Sequence, residues 1–151
     1  YEKFLLEYYR KEHPELSANA SQIAWQLNNS ENQLLPKMQT DIMLSQGNNV
    51  LIIDAKYYSH MTQRQYGTNT LHSNNLYQIF TYVKNKEFEL KDCEHTVSGM
   101  LLYAQTDEDV VPNNTYLMSG NQISVRTLNL NQEFSRIAQT LDDIIQNSFN
   151  K

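Results

Sequence analysis

The sequence predicts an α/β domain, a mixed β-sheet flanked by helices. Three observations predict it. Residues 50–53, VLII, form a continuous apolar run, typical of a strand covered on both faces. Residues 74–86 and 132–149 carry apolar side chains at helical spacing. The elements come in the order helix, three strands, helix, strand, then a hairpin and a last helix, which suits a mixed layered sheet.

Residues 1–13 read as a helix on the spacing of Tyr1, Phe4, Leu5 and Tyr8, stopped by Pro14. The alternation in Ser21–Leu27 predicts a first strand, followed by a polar loop. Residues 37–44 and 50–57 predict a hairpin around Gln46-Gly47-Asn48-Asn49. Residues 59–72 are polar and without period, and read as a long loop of the kind that carries function. Ser73 or Asn74 is expected to cap the helix at 74–86, with Leu76, Ile79, Phe80 and Val83 facing the core. A strand at 97–104, an acidic loop, and a hairpin of 115–118 with 123–129 follow. In the last helix Phe134, Ile137, Leu141, Ile144, Ile145 and Phe149 form the apolar face.

The 151 residues make one domain of ordinary size, with no linker that would divide it. No stretch approaches the roughly 20 apolar residues of a membrane span. No secretory leader opens the sequence, so a cytoplasmic location is expected. Tyr1 stands where an initiator methionine would be, which suggests a piece of a longer protein. A net charge of −5 advertises no basic nucleic-acid surface, though a divalent cation can offset acidic groups locally. One cysteine, Cys93, excludes an internal disulfide and a multi-cysteine zinc site. His13, His60, His72 and His95 lack zinc-hydrolase spacing. No glycine-rich phosphate loop is present, so the chain itself is not expected to bind a nucleotide.

The informative stretch is KMQTDIMLSQGNNVLIIDAKYY, residues 37–58. Asp54 and Lys56 are two apart on a strand and share a face. If Gln46–Asn49 make the turn, position 45 pairs with 50 and 41 falls opposite 54. The carboxylates of Asp41 and Asp54 then lie within about 5 Å, with the lysine one step along. Like charges that close repel unless a cation sits between them. Mg²⁺ takes oxygen ligands, commonly one or two carboxylates plus a substrate phosphate. Two acids and a lysine on one face therefore suit metal-assisted phosphodiester hydrolysis. The plainer alternative is an exposed strand-end ion pair with a neighbouring turn acid.

With these residues placed, the sequence resembles the PD-(D/E)xK, or restriction-endonuclease-like, nuclease superfamily. Its core order αβββαβ matches the predicted elements. Thr40-Asp41 corresponds to the first acidic motif, with Thr40 in place of the usual proline, and Asp54-Ala55-Lys56 to the second. The resemblance implies that Asp41 and Asp54 ligate Mg²⁺, with Mn²⁺ able to substitute, and that the Ala55 carbonyl and a first-helix acid join them. Glu2 is the better match for that acid and Glu7 the second. Lys56 would assist the attacking water. Gln78 and Tyr82, in LYQIFTYV, form the Q-x-x-x-Y pair of the RecB-like branch and would orient the site. Arg64, Lys84 and Lys86 are candidate phosphate contacts, and Tyr57 and Tyr58 candidate substrate contacts.

More narrowly, YEKFLLEYYRKE, LPKMQTDIML, VLIIDAKYY and LYQIFTYV, in that order, are similar to McrC-type nuclease subunits of 5-methylcytosine-dependent restriction systems. That family implies DNA as substrate and a GTP-hydrolysing AAA+ partner of the McrB type, docked through an N-terminal region not recognised in this sequence. Two rivals remain: a non-catalytic module that keeps the scaffold for DNA or partner binding, and a RecB-like exonuclease.

Overall fold

The computed structural model describes residues 1–29, 31, 34–57, 62–65, 68–105 and 111–149, with residues 62–65 and 68–70 described by their backbone alone. The elements are α1 (Glu2–Glu12), β1 (Ser17–Asn19), β2 (Gln22–Ile23), β3 (Met38–Gln39), β4 (Ile42–Gln46), β5 (Asn49–Lys56), β6 (Thr62–Gln65), β7 (Thr68–Leu71), α2 (Ser73–Glu89), β8 (Thr96–Ala104), β9 (Asn114–Met118), β10 (Asn121–Leu128) and α3 (Phe134–Phe149).

Six strands form the central sheet in the order β1-β4-β5-β8-β10-β9. β5, β8 and β10 are parallel; β1, β4 and β9 run antiparallel to their neighbours. Taken along the chain, α1, β1, β4, β5, α2 and β8 give the expected αβββαβ order. The expected C-terminal hairpin and helix are β9–β10 and α3.

The sheet is mixed because its connections differ in length. Gly47 (φ +61°) and Asn48 join β4 to β5 tightly, which allows only an antiparallel pair. Ser119 and Gly120 do the same between β9 and β10, both at positive φ as a type I′ turn requires. Between β5 and β8 the chain travels through α2, and such a crossover returns a parallel strand.

Strand alternation sends apolar side chains to both faces. Ile42, Leu44, Leu51, Ile53, Met100 and Leu102 meet Leu5, Tyr8 and Tyr9 of α1 and the apolar stripe of α3. Met43, Val50, Ile52, Leu101, Ile123 and Val125 meet Ile79, Tyr82 and Val83 of α2. Tyr8 donates to Asp142 Oδ1 (2.8 Å) and Tyr9 to the Leu141 carbonyl (3.0 Å), tying α1 to α3.

Gly99 lets α2 lie close on β8. A Cβ there would stand 2.7 Å from Val83 and 2.8 Å from Ile79 side-chain carbons. Gly99→Ala is expected to lift α2 and destabilise the domain by about 1–3 kcal/mol, read by denaturant unfolding. An unchanged midpoint would mean the helix yields freely.

Several expectations are corrected. The strand predicted at 21–27 is not in the main sheet. Only Gln22–Ile23 pairs, with Met38–Gln39 in a two-stranded ribbon, and the main sheet's edge strand is Ser17–Asn19. The 59–72 stretch, read as a loop, contains the β6–β7 hairpin. His72, not Ser73 or Asn74, precedes α2 as its cap residue. Tyr9 is fully buried on α1 while Phe4 is 37 % exposed, and Phe134 at the start of α3 is 59 % exposed. Among the described residues no helix is long and apolar enough to cross a membrane.

Candidate active site

The C-terminal end of β5 carries Asp54 and Lys56 onto the face covered by α2, in phase with Val50 and Ile52. The β4–β5 register runs from Gln46↔Asn49 to Ile42↔Ile53, so its continuation sets Asp41 opposite Asp54. Asp41 itself lies one residue before β4, in a bend. Thr40 holds that bend: it is 1 % exposed, and both its N–H (3.1 Å) and its hydroxyl (2.6 Å) donate to the Ser21 carbonyl. The residue at the usual proline position thus anchors the approach to Asp41.

Asp41 Oδ2 accepts the Ala55 N–H at 2.9 Å. On a strand the N–H and C=O of one residue point to the same side, so the Ala55 carbonyl also faces the β4 side of β5. Asp41 also contacts the carboxyl groups of Asp54 and of Glu2, the latter at the first position of α1. Burial pushes the Asp41 carboxyl above the usual aspartate range, and the neighbouring Asp54 adds to it. Glu2 is raised chiefly by Asp41.

Asp54 is 5 % exposed. Its Oδ2 is sealed from solvent and receives no well-directed hydrogen bond, although Lys56 Nζ lies 3.1 Å away. Lys56 donates to Gln78 Oε1 (3.0 Å), Gln78 Nε2 donates to the Tyr82 hydroxyl (2.9 Å), and Tyr82 donates to the Gln39 carbonyl (3.2 Å). Burial raises the Tyr82 hydroxyl above its ordinary range, opposed by the Gln78 bond and reinforced by Asp54 and Asp41, so it stays a donor. Lys56, Gln78, Tyr82 and the chain before Asp41 therefore form one continuous network across β5, α2 and β3.

The donor set fits a hard cation. It consists of oxygens, and one of them is a buried carboxylate oxygen lacking a well-directed donor. Among the described residues no three His, Cys, Asp or Glu side chains are arranged to enclose an ion. Glu2 stands beside Asp41. The arrangement suits Asp41, Asp54 and the Ala55 carbonyl as ligands, completed by water as Mg²⁺ prefers.

The raised Asp41 carboxyl has a consequence for stability. The folded chain holds this proton more tightly than the unfolded chain, so metal-free stability falls as pH rises from about 4 through the folded-state value. Asp41→Asn is expected to remove that fall and to raise the neutral-pH melting midpoint by a few degrees. Thermal melts between pH 4 and 7 in a chelating agent check this. A parallel pH profile in wild type and variant would show that Asp41 is not strained.

The remaining predicted residues are placed as follows. Glu7 is outside the site, exposed and paired with Arg10 at 3.2 Å. Lys84 donates to Glu87 and the Ser119 carbonyl, and Lys86 pairs with Glu89, both on the C-terminal half of α2. Tyr57 is 70 % exposed beside Tyr1, ring centres 6.3 Å apart. Tyr58, His60, Asp107, Glu108, Asp109 and the Arg64 side chain lie outside the described residues. His13 pairs with Asp142 at 2.7 Å, and Cys93 is exposed. Sequence reading missed the anchoring by Thr40, and it missed Asn75 and Tyr103, buried beside the network. The available signal for Asn75 was a polar residue in phase with Ile79, Tyr82 and Val83 on an apolar helix face.

A mixed sheet flanked by three helices, with acidic groups and a lysine gathered at one sheet end, is an α/β domain compatible with a nuclease-like fold. Comparison with known proteins specifies the class further. A family model described as McrBC 5-methylcytosine restriction system component matches residues 1–104, and the chain belongs to that family. It is 36 % identical over 147 residues to the Type IV methyl-directed restriction enzyme EcoKMcrBC of Escherichia coli (strain K12), across 95 % of this chain and 41 % of that protein. The chain thus spans less than half of that relative's length. The McrC-type resemblance drawn from the four motifs agrees with both findings.

Proposed function

We propose that this chain is the DNA-cleaving domain of a modified-cytosine restriction system, a Mg²⁺-dependent endonuclease of the PD-(D/E)xK type. The observation that carries the reading is the convergence of Asp41, Asp54 and Lys56 on one sheet face, with Asp54 Oδ2 buried and faced by the Lys56 ammonium at 3.1 Å without a well-directed hydrogen bond. An ordinary surface ion pair does not bury a second carboxylate against the first.

Asp41, Asp54 and the Ala55 carbonyl would hold Mg²⁺, which when bound polarises a phosphate oxygen and acidifies water. Ala55 N–H keeps the Asp41 carboxylate turned toward Asp54. Among the described residues the Lys56 ammonium donates to Gln78 and stands in ion-pair contact with Asp54, which leaves it a further N–H. That N–H would be directed at a water or a phosphate oxygen. There it orients the attacking oxygen and offsets charge growing on phosphorus. Attack of water forms the new P–O bond as the P–O3′ bond breaks, giving a 5′-phosphate and a 3′-hydroxyl. Gln78 and Tyr82 hold the ammonium in place. The McrC-type resemblance implies that recognition of modified cytosine and GTP hydrolysis belong to an AAA+ partner of the McrB type, and the methyl-directed restriction named for the relative supports that division of labour.

The test supplies that partner, GTP, Mg²⁺ and closed circular DNA carrying 5-methylcytosine. Conversion of circles to linear molecules supports an endonuclease. Cleavage from free ends alone would turn the reading to an exonuclease, and no cleavage of either substrate would favour a binding module.

A further inference from the structure

Asn75 and Tyr103 are among the least exposed polar side chains of the domain, at 4 % and 0 %, and Asn75 Nδ2 donates to the Tyr103 hydroxyl at 2.9 Å. Leucine and phenylalanine would fill the same space without the cost of burying polar groups. Packing alone does not call for this pair. Its position does. Tyr103 is the register partner of Lys56 on the neighbouring parallel strand, and both side chains point to the α2 face. Asn75 lies one helical turn before Gln78, on the same side of α2. Lys56 in turn donates to Gln78 at 3.0 Å. The four residues close a ring: strand neighbour, hydrogen bond, helix turn, hydrogen bond.

We propose that Asn75 and Tyr103 are positioning residues, which fix the rotation and height of the first turns of α2 on β8 and so aim Gln78 at Lys56. The proposal rests on the reading of Lys56 as a cleavage residue. Beyond Gln78, α2 packs through Ile79 and Val83 over Gly99 and is tied down by Tyr82 to the Gln39 carbonyl, Lys84 to the Ser119 carbonyl and Glu87 to Asn121, all on the C-terminal side of Gln78. The Asn75–Tyr103 bond supplies the directional constraint on the N-terminal side, in the first turn. Without it Gln78 stays near Lys56 but no longer sets the direction of its remaining N–H. A misplacement of this kind is costly in turnover and not in substrate affinity.

The experiment uses the full chain in its complex. Tyr103→Phe is expected to lower kcat about 10- to 100-fold, with DNA affinity in Ca²⁺ unchanged. Gln78→Leu is expected to lower kcat similarly, and the double variant no further, because both changes act through one contact. Ile79→Val, a loss of packing on the same helix face, is expected to keep kcat. Asn75→Leu tests the same bond from the helix side should Tyr103→Phe fold poorly. A second arm needs no activity: the Gln78 side-chain amide NMR signals shift in Tyr103→Phe and stay in place in Ile79→Val. Multiplying losses in the double variant, full turnover in Tyr103→Phe, or an unmoved Gln78 amide would each overturn the proposal. An inactive wild type with the amide shift present would sink the cleavage reading and leave the positioning role standing.

Discussion

Asp54→Ala is expected to reduce DNA cleavage by about 10³-fold or more, to background, in the complete assembly with Mg²⁺ and GTP. Asp54 is the best-buried carboxylate of the site, and its Oδ2 receives no well-directed hydrogen bond. Removing it takes away a metal ligand and the counter-charge of Lys56 together. The fold should survive. Lys56 retains Gln78 and is 15 % exposed, and a neighbouring strain is relieved because Asp41 no longer faces a second carboxylate. Rates are to be compared with melting curves on the same preparations. Cleavage by Asp54→Ala at the wild-type rate would remove Asp54 from the mechanism.

Lys56→Met keeps the aliphatic stem and removes the ammonium. Two losses are expected. Turnover falls about 10²–10³-fold, the usual scale for one electrostatic stabiliser of a developing charge. Metal-free stability falls by about 3–5 kcal/mol, because Asp54 is left buried beside Asp41 without its cation. The stability loss should shrink as Mg²⁺ is added, since a divalent ion replaces part of the missing charge, while the turnover loss should persist. Denaturant melts with and without Mg²⁺ separate the two effects. If Mg²⁺ restores neither wild-type stability nor any part of it, the carboxylates do not hold the ion.

The central geometry was legible because it is local. Asp54 and Lys56 share a face through strand alternation alone. Asp41 reaches them through a hairpin whose turn carries Gly47, so counting back from the turn places 41 opposite 54. Glu2 and Gln78 came from a family resemblance, and the structure brings both to this end of the sheet; spacing alone did not place them. What stayed hidden is non-local or short. β1 is only three residues long, too brief for a periodic signal, and it joins the sheet through β4, far along the chain. The alternation in Ser21–Leu27 is real at Ile23, which is buried, but its partner is Met38 in a side ribbon rather than a main-sheet strand. The Asn75–Tyr103 bond spans 28 positions and depends on where a crossover helix lands on its strand. Phe134 follows helical spacing yet stands at the first position of α3, where its ring meets Phe4 and Tyr8 of α1 on one side and stays exposed on the other.

The most direct measurement is an anomalous difference map from crystals of the domain equilibrated with Mn²⁺. A peak bonded to the Asp41 and Asp54 carboxylates and the Ala55 carbonyl, at about 2.0–2.2 Å, with Lys56 still on Gln78, is the predicted result. A map with manganese bound elsewhere, or with Lys56 filling the space between the two carboxylates at saturating Mn²⁺, would contradict it.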